Sequence, residues 1–245
     1  MADCRVALAL VFAVVGSTAT AVAAETHAVI ELFTSQGCSS CPPADHLLGQ
    51  LAKDPSLITM SLPIDYWDYL GWKDTLATPG HTARQRGYAQ MRGDRAVYTP
   101  QVVVNGMVHV QGSDKAAIDR AIAQTRQQPP TLSVPVTLTV ENGRIDVTVP
   151  AAAEARGSAE VWLCPITKSV PVAITRGENR GQTLTYYNVA RRWVKLGDWN
   201  GTARHWNVPA SDLEAEQTNS VAVLVQAGEV TKPGRMLGAA TAALH

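Results

Sequence analysis

Six consecutive residues constrain this chain more than any others: Cys38-Ser39-Ser40-Cys41-Pro42-Pro43. Before them, Ala28 to Phe33 is a short apolar run with β-branched residues, the pattern of a buried strand. After them, Ala44, Leu47, Leu48 and Leu51 recur at helical spacing. Two prolines fit a first helical turn, whose amides have no intrahelical acceptor anyway. The six residues therefore form a loop that turns a strand into a helix. Two intervening residues bring both sulfurs onto the first turn, within bridging reach. Unpaired amides and the helix dipole stabilise negative charge there, so Cys38 reads as an attacking thiolate. Cys41, one turn in, reads as the sheltered thiol that resolves a mixed disulfide. Gly37 lets a partner's backbone come close to the sulfur.

Beyond the helix, a second strand is expected from Leu57 to Asp65 and a second helix from Thr78 to Met91. Gln101–Asn105 and Val108–Gln111 read as strands joined by Asn105-Gly106, a hairpin dipeptide. Ser113 is placed to cap a last helix with Ala117, Ile118, Ala121 and Ile122 on its apolar face. The order is β-α-β-α-β-β-α. Gln127-Gln128-Pro129-Pro130 then ends the helical pattern, since two prolines cannot continue a helix. Alternation with a period of two follows. Val134, Val136, Leu138 and Val140 share one strand face, and Ile145, Val147 and Val149 share one face of the next. With Asn142-Gly143 as a two-residue turn, Glu141 falls opposite Arg144, Val140 opposite Ile145, Leu138 opposite Val147 and Val136 opposite Val149. Further strand-like runs are 159–164, 170–174, 184–189, 193–196 and 221–226. About seven strands in 131–245 point to an antiparallel β-sandwich.

Lys plus Arg is 21 and Asp plus Glu is 21, so no basic excess exists to neutralise phosphates. Nucleic acid is not expected as a partner. Arg5, the apolar run Val6 to Val15 and the small residues ending Ala21-Val22-Ala23-Ala24 read as a cleavable export signal over residues 1–24. Nothing later is long and apolar enough to span a bilayer, so no stable membrane insertion is expected after cleavage. A periplasmic or secreted location follows, in an oxidising compartment where cysteine pairs persist as disulfides or exchange them.

Phe33 to Asp45 (F-T-S-Q-G-C-S-S-C-P-P-A-D) is similar to the signature of a bacterial family of exported thioredoxin-like proteins of uncharacterised function. The likeness continues through Asp65 to Asp74 (D-Y-W-D-Y-L-G-W-K-D), Thr82 to Ala89, Tyr98 to Gly106, Arg176 to Asn179 and Thr183 to Val189. The resemblance implies a thioredoxin-like α/β domain over 25–128, followed by the antiparallel β-sandwich domain over 131–245. It also implies that Pro100 is a cis-proline beside the cysteine pair, leaving the backbone of Thr99 free to hold a substrate strand. Departures are visible. Leu32 stands where many thioredoxins carry a buried Asp, with Glu31 on the opposite strand face. No Trp precedes Cys38, and Ser-Ser separates the cysteines.

The expected activity is thiol–disulfide exchange with protein or small-molecule thiols and disulfides. Cys38 is the nucleophile, Cys41 the resolving thiol, Pro100 the positioning residue and Asp65 a proton acceptor. Tyr66, Trp67 and Trp72, with Thr99, would line a substrate groove; alternatively the aromatic segment is an insertion packed on the second domain. The dithiol carries the electrons, so no cofactor is called for. Two other readings stand beside this one. In a non-catalytic envelope binding protein the disulfide only braces its loop. In a copper- or zinc-handling metallochaperone, His46 and His81 would supplement the thiolates. Cys164 could be a third thiol that takes the disulfide from Cys38 but reads first as a small buried hydrophobe. Arg176 to Gly181 could be a substrate-contacting loop but reads first as a solvated hairpin tip. The sequence leaves the oligomeric state open.

Overall fold

A computed structural model describes residues 25–94, 97–152, 157–213, 217–229 and 231–244. The expected export signal lies outside the described residues. From the N-terminus the elements are β1 (Ala28–Thr34), α1 (Pro42–Leu51), β2 (Leu57–Pro63), a 3₁₀ turn (Asp68–Leu70), α2 (Pro79–Arg92), β3 (Gln101–Val104), β4 (Val108–Gln111) and α3 (Lys115–Arg126). They are followed by β5 (Thr137–Glu141), β6 (Arg144–Val149), β7 (Ala159–Ala173), β8 (Thr183–Ala190), β9 (Val194–Trp199), β10 (Arg204–Pro209), a short 3₁₀ turn (Ala210–Asp212), β11 (Ser220–Glu229) and β12 (Lys232–Ala243).

The helices end where local chemistry stops them. Thr78 caps α2, its hydroxyl accepting from the His81 amide, and Gly93 closes it in the left-handed conformation. Asp114, not Ser113, caps α3, its carboxylate accepting from the Ala117 amide. The β5–β6 hairpin has the expected register from Glu141↔Arg144 to Leu138↔Val147, but β5 starts at Thr137, so Val136 falls outside the ladder.

The expected fold class is corrected. An α/β thioredoxin-like domain followed by a separate β-sandwich would put the two halves in different sheets. Instead, strands from both halves form one mixed nine-stranded sheet in the order β12-β11-β7-β8-β2-β1-β3-β4, with β9 also pairing β7. The seam is the parallel pairing of β2 with β8 at Ser61↔Val189. Among the described residues twelve strands outnumber three α-helices, so the chain is β-rich. The second sheet is small, in the order β10-β6-β5. Its Ile145, Val147 and Val149 pack against Val161, Leu163, Val221, Val223 and Val225 of the large sheet, so the layering expected of a sandwich occupies only one end of it.

Burial follows the period of two. Ala28, Ile30 and Leu32 of β1 face a core built with α1 and α3. Val29 and Phe33 face a second core in which Tyr88 of α2 meets Trp162, Cys164, Leu224 and Met236 from the other half. The apolar core is thus shared across the position where a linker was expected.

Candidate functional site

β1 delivers the chain to the cysteine loop at the end of the strand. There the Cys38 amide donates to the Ser35 carbonyl at 3.1 Å and the Cys41 amide to the Cys38 carbonyl at 3.2 Å. The two sulfurs are joined as a disulfide. Cys41 is the N-cap of α1 and is fully buried; Cys38 keeps 4% of its surface exposed, under the exposed Ser39 and Ser40. The expected ranking of shelter is present, with both residues deeper than the sequence implies.

The electrostatics differ from expectation for a reason the sequence carries. Pro42 and Pro43 occupy the first two helical positions and have no N–H. The next amides, of Ala44 and Asp45, both donate to the Cys41 carbonyl, at 2.9 and 3.1 Å. The first turn therefore has no free amide to offer a Cys38 thiolate. What it has is the dipole and the Ser40 hydroxyl, 3.4 Å from Cys38 Sγ.

Two walls flank the loop. One comes from the aromatic segment. Trp67 lies against Gly37, where an added Cβ would sit 3.3 Å from Trp67 Cβ, and its indole N–H donates to Thr99 Oγ1 at 2.8 Å. Tyr69, 75% exposed, stacks on Trp67. Trp72 donates to Gln36 Oε1 at 2.8 Å. Tyr66 turns toward α2, donating to Gln85 at 3.1 Å, and burial pushes its phenol up to about 12. Pro100 follows a cis Thr99–Pro100 peptide and is buried against α1: a Cβ added to Gly112 would meet both Pro100 Cβ and Ala44 Cβ. Asp65 is held at the start of α2, accepting from the Thr82 hydroxyl at 2.6 Å.

The other wall is Arg176 to Gly181, whose Arg176, Glu178, Arg180 and Gly181 are exposed as expected of a hairpin tip while Asn179 turns inward. Asn179 is 1% exposed, and its side-chain amide donates to the carbonyls of Gln36 at 2.9 Å and Cys38 at 3.0 Å. Glu178 accepts from the Ser39 amide at 3.1 Å, and contacts with Ser39 hold its carboxyl below the usual range. Gly177 has φ +76 and backs onto Trp72, where a Cβ would crowd Trp72 Cβ at 3.2 Å. A loop from the far half of the chain thus clamps the cysteine loop.

Behind the cysteines lies a buried polar cluster. Asp45, one turn after Cys41 on the same helical face, is 4% exposed and neither carboxyl oxygen has a hydrogen-bond partner. The Thr34 hydroxyl lies close to it. Burial, opposed by Thr34 and reinforced by Asp74, raises the Asp45 carboxyl far above the usual range. Asp74 accepts from the amides of Gln36, Leu76 and Ala77, yet burial still lifts it to about 6. The buried Tyr186 hydroxyl also lacks a partner. Both aspartates were missed in the sequence. The one signal was the Cys41, Asp45, Leu48 spacing, which sets Asp45 among apolar neighbours.

The remaining candidates lie elsewhere. Cys164 is buried beside Arg84, and burial drives its thiol up to about 12. His46 is exposed and bonded to Gln50, while His81 is buried with Nδ1 3.0 Å from the Pro63 carbonyl. Among the described residues no three His, Cys, Asp or Glu side chains gather as a metal site, and no helix is long and apolar enough to cross a membrane.

Fold and site together define a β-rich mixed-sheet protein with a disulfide-closed turn at the head of its first helix. The chain belongs to the family described as protein of unknown function (DUF1223), whose profile matches residues 29–226. It is similar to a protein of Agrobacterium tumefaciens solved by X-ray crystallography: 31% identity, 91% of this chain and 96% of that one covered, TM-score 0.80. HBP35 of Porphyromonas gingivalis shares the fold at 12% identity, with 90% of this chain and 76% of that one covered and a TM-score of 0.58. No curated protein matches the chain.

Proposed function

We propose that the protein is exported to the periplasm or beyond, and that it exchanges thiols and disulfides through Cys38 and Cys41. The observation that carries this reading is the asymmetry of the pair: Cys41 is sealed while Cys38 alone keeps some exposure, so attack is directed to one sulfur. In reduction of a substrate, the Cys38 thiolate attacks a substrate disulfide, forms a mixed disulfide and expels one substrate thiolate, which takes a proton from water. Cys41, losing its proton, then attacks Cys38 Sγ, closes the Cys38–Cys41 bond and releases the second substrate thiolate. The reverse sequence oxidises a substrate dithiol. The Ser40 hydroxyl is placed to donate to the Cys38 thiolate where the prolines leave no amide. The Trp67–Thr99 wall and Pro100 flank the approach, and protein or small-molecule disulfides are the substrates. A closed disulfide is in keeping with an oxidising compartment.

Cys41→Ala is the test. It is expected to accumulate mixed disulfides with envelope proteins, and Cys38→Ser to accumulate none. An empty trap, together with a reduced wild type that reacts with an aromatic disulfide no faster than free cysteine, would leave the bond as a brace. That second reading has an observation in its favour, since Asn179 and the covering serines hold Cys38 at only 4% exposure.

A further inference from the structure

Opening the disulfide places a negative charge on Cys41 Sγ, the sulfur with no exposure at all. A thiolate left in such a place is costly, so a proton must arrive with the electrons. Prolines remove the helix amides that could have shared the charge. The Ser40 hydroxyl is committed to Cys38 Sγ on the surface side.

The turn directly beneath Cys41 holds an unusual group. Asp45 follows Cys41 by four residues, with its amide bonded to the Cys41 carbonyl at 3.1 Å. Helical side chains lean toward the N-terminus, so the Asp45 carboxyl covers the turn that carries Cys41. Both its oxygens are buried and unpartnered, an arrangement an ionised carboxylate does not tolerate. Of the groups facing it, only the Thr34 hydroxyl opposes the burial. Thr34 comes from the end of β1 and Tyr186 from β8, each with an unsatisfied hydroxyl, and Asp74 comes from the segment before α2 with a like charge. Asp74 is itself fixed by three backbone amides, one of them from Gln36 in the cysteine loop. It is the member of the pair better able to carry the charge, which leaves the shared proton on Asp45. Asp45 also borders a cavity of about 220 Å³, lined with Pro42, His46, Thr185 and Tyr187.

We propose that Asp45 is the proton partner of Cys41, giving its proton to the Cys41 sulfur as the disulfide opens and taking it back as Cys41 attacks Cys38. In the opening direction, a substrate thiolate bonds to Cys38 Sγ and the Cys38–Cys41 electron pair moves onto Cys41 Sγ. That sulfur takes the Asp45 proton, leaving a carboxylate placed to take the proton back on closure. In the closing direction the Asp45 carboxylate removes the Cys41 proton, the sulfur bonds to Cys38, and the substrate leaves as thiolate. Asp45 thus sets the rate of resolution and leaves the first attack to Cys38. This rests on the exchange reading above.

The experiment reacts the reduced protein with an aromatic disulfide and measures attack by Cys38, which forms a mixed disulfide, and resolution by Cys41 separately over about pH 5 to 9. In the wild type, resolution is expected to level off once Asp45 is ionised. In Asp45→Asn, formation should keep its rate, while resolution should fall by roughly ten- to a hundredfold near pH 7 and recover as hydroxide rises. Asp45→Glu should restore part of the rate at neutral pH, which a structural role alone would not produce. If Asp45→Asn does not fold, the wild-type profile still decides: a resolution rate rising about tenfold per pH unit throughout, with no carboxyl plateau, overturns the assignment. Rapid formation with resolution unchanged in Asp45→Asn also overturns it and leaves the exchange reading standing. Absence of any formation step removes both.

Discussion

Asp74 and His81, on either side of the start of α2, are both buried titratable groups, and burial acts on them with opposite signs. It lifts Asp74 to about 6, three accepted amide hydrogen bonds notwithstanding, and lowers His81 to about 4. Each displacement from the ordinary value corresponds to about 3 kcal/mol at full effect. Asp74 binds its proton more tightly folded than unfolded, so its contribution is intact below about pH 4 and is lost as pH rises through 6. His81 binds its proton less tightly folded, so its penalty is absent above about pH 6.5 and complete below 4. The two slopes oppose one another across one window, and Asp45, also raised, acts in the direction of Asp74. Removing the histidine should unmask the acids. In His81→Asn, stability from urea unfolding is expected to fall between pH 4 and 6.5 by about 3 kcal/mol more than in the wild type. An unaltered difference would mean that the imidazole takes up its proton without cost. At this scale the cysteine pair was legible because residue type and spacing alone bring two sulfurs together. Asp45, Asp74 and Asn179 were not. Their properties come from burial beneath strands distant in the chain, and Asn179 reaches the Cys38 carbonyl across 141 positions.

Elements are legible in proportion to how far local sequence forms them. α1, α2 and α3 carry their own periodicity and stops, and the order of the first seven regular elements followed. β10 and β12 did not, and the reason is physical. β12 reads K-P-G-R-M-L-G-A-A-T-A-A, poor in the β-branched and aromatic residues that mark strands, and it exists because β11 pairs with it from Ser220↔Ala243 to Glu229↔Lys232. That hairpin presses on α2 at Gly87, where an added Cβ would lie 2.4 Å from the Thr231 carbonyl oxygen and 2.8 Å from Pro233 Cδ. A glycine in a helix interior costs about 1 kcal/mol against alanine, so an isolated α2 peptide should gain helicity from Gly87→Ala. In the whole protein the sign should reverse. Backbone must move to admit the methyl group, at about 1–3 kcal/mol, read as a lower urea midpoint with unchanged slope. A midpoint that holds or rises would show that the hairpin yields to the helix.

The same contacts decide how the molecule behaves as a unit. Pro129-Pro130 looked like a boundary because prolines do end α3, but ending a helix does not end a core. Strand pairing at Ser61↔Val189 carries the sheet across it, and a buried ionic network does so a second time. Arg84 of α2 bonds Glu31 of β1 at 2.5 Å and Gln226 of β11 at 2.8 Å, and stacks over Trp193 at 4.2 Å. Gln226 and Glu31 both meet the Tyr88 hydroxyl. All five side chains except Trp193 are buried, so Arg84→Met strands the Glu31 charge in the interior, a loss of about 3–5 kcal/mol. Two independent domains would confine that loss to the first and give two transitions, with the later one unmoved. A shared sheet requires another outcome. Far-ultraviolet dichroism and tryptophan fluorescence, the latter dominated by Trp162, Trp193, Trp199 and Trp206 of the second half, should trace one coincident urea transition that Arg84→Met shifts as a whole. If the fluorescence transition stays in place while the dichroism moves, the seam at β2 and β8 does not couple the halves.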